Sequence, residues 1–148
     1  MFLPLNDRQF DFWKLRRGGL PNVNIARLCS ISKQAVSKAL ITMDERIEKA
    51  LLEMARANQI EMEKVNAERG ILFGHSVPFK ANAIIFVSAK HGMQVWYEHE
   101  GDCGACNRYV QCIELLWDFA DEMKLKLERT DDPTKLAEEL FEKLRRSV

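Results

Sequence analysis

A chain of 148 residues with 47% apolar side chains can bury a core as one ordinary domain or two small ones, and is expected to be soluble and globular. Its 22 basic and 22 acidic residues cancel, yet residues 1–43 hold seven Lys/Arg against Asp7 and Asp11, a net +5 that leaves −5 for the rest and points to a polyanion at one end. The apolar opening Met1-Phe2-Leu3-Pro4-Leu5 is too short for a secretory or membrane-spanning segment, and four cysteines with three inside positions 103–112 are unlike a secreted disulfide framework, so a reducing cytoplasm is the expected compartment.

The predicted elements begin with a helix capped by Asn6 or Asp7, carrying Phe10, Trp13 and Leu15, and stopped after Arg17 by Gly18-Gly19. Pro21 opens a second helix with Val23, Ile25, Ala26 and Leu28 directed inward. Cys29-Ser30-Ile31 forms a tight turn, and Ser32 caps a third helix whose inner side is Ala35, Val36, Ala39 and Leu40. No Gly or Pro interrupts the chain from there to about Glu68, and Ile47, Leu51, Met54, Met62 and Val65 recur at threes and fours with Asn58 on the same stripe, which predicts one long helix. The stripe either pairs two chains or packs on the chain's own C-terminal half.

Residues Ile71 to Phe79 read as irregular. A β-hairpin follows, Ala83–Val87 with Gln94–His99, and its first strand is apolar on both faces, so helices should cover it. Beyond the cysteines, a helix from about Arg108 to Glu128 presents Val110, Ile113, Leu116, Trp117, Ala120, Met123 and Leu127. A last helix starts near Pro133 with Leu136, Leu140, Phe141 and Leu144. The expected fold class is α+β. Residues 1–69 would form a helix-turn-helix domain with a long dimerisation or linker helix, and residues 70–148 a hairpin, cysteine site and helical end.

The string Ile25-Ala26-Arg27-Leu28-Cys29-Ser30-Ile31-Ser32-Lys33-Gln34-Ala35-Val36 carries the sharpest signal of the first half. Ala26 is the small residue needed where two helices cross, and Ile25, Ile31 and Val36 are apolar at the right offsets. Arg27, Ser32, Lys33, Gln34, Ser37 and Lys38 are left as candidate contacts to duplex DNA, supplying cations for phosphates and an amide for a base edge. Together with Leu5-Asn6-Asp7-Arg8-Gln9 and the Arg16-Arg17-Gly18-Gly19-Leu20 corner, this string resembles the archaeal Tfx-like regulators. It is similar, more distantly, to the sigma-factor region-four and LuxR-type helix-turn-helix. The resemblance covers roughly residues 3–50 and implies that the helix from Ser32 is the recognition helix. At the turn, Cys29-Ser30 departs from the common small residue or glycine.

His99, Cys103, Cys106 and Cys112 are the candidate metal ligands. Gly104 and Ala105 let the backbone wrap tightly between two thiols, Cys112 lies early on the next helix, and His99 offers a fourth ligand for zinc. The acidic Glu98, Glu100 and Asp102 disfavour bare thiolates, which favours a metal over a disulfide switch. The spacing is similar, over ten residues, to the 4Fe-4S loops of the fumarate-nitrate regulator family and of endonuclease III-type glycosylases; the latter would place a cysteine at Trp96. That resemblance implies a 4Fe-4S iron-sulfur cluster, with His99, Cys29 or an open iron as the fourth position and Trp96, Tyr97 and Tyr109 as shields. His75 and His91 read as solvated. No phosphate loop, nucleophile elbow or metalloprotease helix is present, so no enzyme is expected. The function expected is that of a homodimeric, DNA-binding transcriptional regulator sensing redox or metal status. The alternatives are a zinc-stabilised DNA-binding or oligomerisation protein and a redox or sulfur-handling enzyme.

Overall fold

The computed structural model describes residues 8–98, 109–128 and 132–147. Three helices come first: α1 (Arg8–Arg17), α2 (Asn22–Cys29) and α3 (Lys33–Ala57). Four strands follow, β1 (Ile60–Asn66), β2 (Ile71–Ser76), β3 (Ala81–Ser88) and β4 (Gly92–Tyr97), and then α4 (Tyr109–Glu122) and α5 (Pro133–Ser147). The strands form one antiparallel meander in the order β1-β2-β3-β4. The α+β class expected from the sequence is what the chain adopts.

The long third helix stops earlier than its apolar periodicity predicts. The Asn58 side chain turns back to donate to the Met54 carbonyl at 2.9 Å, and Gln59 takes a left-handed backbone (φ 56°), so Met62 and Val65 lie on β1. The segment Ile60–Asn66 alternates almost as well at a period of two as at three or four, and pairing with β2 decides between them. Residues 71–76, read from their glycines as irregular, form an inner strand instead. A Cβ at Gly74 would run into the Glu61 carbonyl, so this glycine marks a close approach of two backbones. Likewise α4 ends at Glu122, with Lys124 left-handed at φ 55° just beyond it.

The sheet is covered on both faces, as the doubly apolar β3 requires. Ala83, Ile85 and Val87 join Phe10, Trp13, Val36, Leu40, Met43, Ile47 and Leu51 in one apolar cluster. Ile84 and Phe86 join Phe119, Leu136, Leu140 and Phe141 in the other. Aromatic pairs fill each side, Phe10 on Trp13 at 5.4 Å and Phe86 on Phe119 at 4.3 Å. The Ile47 and Leu51 stripe of α3 is thus used on the chain's own sheet, which settles the two readings left open for it and leaves no such seam for a second α3. The first cluster runs from Phe10 to Val87, and β1 pairs with β2 across position 70, so the helix-turn-helix shares its core with the sheet.

One buried cation ties the layers together. Arg17 at the end of α1 donates to the Val87 carbonyl at 2.6 Å and to Glu122 of α4 at 3.0 Å, and lies over the Trp13 ring at 4.4 Å. Glu122 also accepts from Ser88 Oγ at 2.7 Å and from the Ala89 N–H. Burial draws the Arg17 guanidinium down from its ordinary value to about 10, against the opposing pull of Glu122. His91, expected to be solvated, instead meets Asp118 of α4 at 2.7 Å and pins the β3–β4 turn to that helix.

Candidate nucleic-acid interface

The turn between α2 and α3 is closed by backbone hydrogen bonds. Ile31 N–H donates to the Ala26 carbonyl at 3.0 Å, and Ser30 adopts the left-handed conformation with φ 56° and ψ 43°. Ser32 then starts α3, its Oγ accepting from the Ala35 N–H at 3.1 Å. Of the predicted apolar offsets, Ile25 and Val36 are buried and Ile31 is half-buried against the same cluster, and the small Ala26 is buried with them. Arg16 holds α1 against α3 through a two-pronged pair with Asp44, one prong 3.0 Å long.

The residues expected at a DNA face fall into two groups. Arg27, Lys33, Gln34 and Lys38 are exposed, and among the described residues Arg27, Lys33 and Lys38 enter no ion pair. Ser32 is exposed, but its hydroxyl is engaged as the helix cap. Ser37 is half-buried and accepts from Asn22 at 3.5 Å, so it steadies the crossing of α2 and α3. Three other inward assignments fail: Leu28 and Val23 of α2 are 66% and 42% exposed, and Ala35 of α3 is exposed as well. The short α2 has room to bury only the one edge that meets α3. The basic charge of the N-terminal segment is also smaller at the surface than its count, because Arg16 and Arg17 are committed to Asp44 and Glu122.

The electrostatics of α3 change along its length. Its first turns carry Lys33 and Lys38 beside the partial positive charge of the helix N-terminus, whereas the acidic Asp44, Glu45 and Glu48 come about two to three turns after Lys38. The positive potential of α3 is therefore concentrated at its N-terminal end.

Of the cysteine constellation, His99, Cys103 and Cys106 lie outside the described residues. Cys112 sits in the first turns of α4, half-buried against the second apolar cluster. Among the described residues no group of three or more His, Cys, Asp or Glu side chains stands close enough to hold a metal ion. Cys29 packs on the first cluster, on the other side of the sheet from the cluster that Cys112 touches. It behaves as a small apolar residue. No sign of the Arg17–Glu122 link is legible before folding, since nothing local distinguishes a cation that will be buried from one that will be solvated.

Fold and surface together define an α+β protein presenting a helix-turn-helix on one face of an antiparallel sheet. The chain matches no protein-family model, curated protein or solved structure. No helix among the described residues is long and apolar enough to cross a membrane.

Proposed function

We propose that this chain is a DNA-binding transcriptional regulator that lays the first turns of α3 in the major groove of duplex DNA. The observation that carries the reading is the exposure of Lys33, Gln34 and Lys38 on the first turns of a helix whose start is set by a closed left-handed turn. Lys33, Lys38 and Arg27 meet phosphates, and Gln34 offers both amide atoms to a base edge. The regulator acts as a homodimer whose interface lies away from the Ile47 and Leu51 stripe, because that stripe is covered intramolecularly.

Cys103, Cys106 and Cys112 would hold an iron-sulfur cluster, with His99 as a further ligand; zinc is the alternative occupant. Such a cluster supplies sensitivity to oxidants. Support for this half of the proposal is the position of Cys112 at one end of α4 and Glu122, bonded to Arg17 of α1, at the other. A change at the thiols would thus act on the helix that braces the DNA-binding layer.

Fluorescence anisotropy of a labelled random-sequence duplex tests the DNA reading. Binding at low salt should weaken with log[salt] by about 0.9 per phosphate contact, and Lys38→Ala should flatten that slope by about one such unit. Absence of association with any duplex at low salt, for protein purified without oxygen and for metal-stripped protein alike, would refute the proposal. Cys106→Ser bears on sensing alone: unchanged DNA affinity in both redox states would remove that half.

A further inference from the structure

The geometry points to Ile41 as a reader of the thymine methyl group, a specificity that the polar residues of α3 do not supply. This rests on α3 being the recognition helix. Ile41 is 63% exposed, although its neighbours Leu40 and Met43 are buried in the core. At 100° per residue it lies within about 60° of Gln34 and Lys38 around the helix, and about 10.5 Å beyond Gln34 along it. That rise equals roughly three base-pair steps of a duplex. Glu45, a turn further on the same face, is exposed and acidic, so the groove-facing surface closes at Ile41.

An aliphatic side chain at that place has no hydrogen bond to offer. In the major groove, the apolar group presented by an unmodified base pair is the C5-methyl of thymine. Gln34 would set the register on a base edge and Lys38 on a flanking phosphate, while Ile41 excludes water from one methyl group. A phosphate is not its partner, since Glu45 repels the backbone there and isoleucine cannot attract it.

The test starts from in vitro selection of duplexes by the full-length protein from a random-sequence pool. Each thymine of the selected site is then replaced singly by deoxyuridine, which removes only the methyl. One position is expected to lose roughly fourfold in affinity, the equivalent of one buried methyl group. Ile41→Ala should abolish that sensitivity while leaving the salt dependence and the unfolding midpoint unchanged, because the side chain lies outside the core. Deoxyuridine without effect at every position, or an equal penalty in Ile41→Ala, overturns the assignment while leaving the DNA-binding reading intact. If a folded protein enriches no duplex, the DNA-binding reading fails first and this inference with it.

Discussion

Replacing Glu122 by Gln probes a buried link between the N-terminal helices and the C-terminal helices. The Arg17 side chain is 2% exposed and that of Glu122 18%. Without the carboxylate, the guanidinium keeps carbonyl acceptors at Val87 and Arg69 but loses its counter-charge. Breaking a buried pair from one side costs about 3–5 kcal/mol; the remaining acceptors and partial exposure of Glu122 place Glu122→Gln near about 3 kcal/mol. Arg17→Met should cost less, about 1.5 kcal/mol, since Glu122 retains Ser88 and the Ala89 N–H and the Met stem still covers Trp13. The double variant carries no stranded charge and should lose only about 2.5 kcal/mol, so the two effects are non-additive by about 2 kcal/mol. Urea unfolding of the four proteins at neutral pH measures this coupling. Additivity within about 0.5 kcal/mol would refute the claim that the pair acts as a unit.

Gly74→Ala should destabilise the protein by about 2 kcal/mol, read as a lower urea midpoint, because the new methyl group meets the Glu61 carbonyl and the β1–β2 pair must part. Ser30→Gly should instead stabilise by about 0.5–1 kcal/mol by relieving a left-handed serine at φ 56°; a calorimetric midpoint that falls would contradict the turn geometry. The hydrogen bond from His91, aided by Lys90, holds the Asp118 carboxyl below its ordinary value of 3.8. A depressed carboxyl contributes stability above its unfolded pKa and loses it as pH falls through the folded one. The stability difference between wild type and Asp118→Asn should accordingly be level above pH 3.8 and vanish on further acidification, as followed by circular dichroism across the acid transition.

Much of the helix-turn-helix was legible because its determinants are local. Ala26 at the crossing, the Ser32 cap and the buried Val36 are each decided by neighbours within about ten positions. The covering of both faces of β3 was also legible, since a run of five apolar residues has no solvent side. The end of α3 was not. Met62 and Val65 fit a helical stripe by spacing, and only Asn58 capping its own helix and β2 waiting as partner convert that stretch into a strand. In the candidate site, the cations Lys33 and Lys38 were recognisable from their place after the cap, whereas the exposure of Ile41 and the inward turn of Ser37 depend on how α2 lies across α3.

The amino-acid order by itself determined where α2 and α3 begin, the αβ composition and the charged first turns of α3, because capping, turn chemistry and apolar periodicity act between residues close in the chain. Tertiary structure alone decided that Ile47 and Leu51 are covered by the chain's own sheet and that Arg17 serves the interior. Those outcomes depend on contacts between residues dozens of positions apart, whose free energies appear only once the layers have come together.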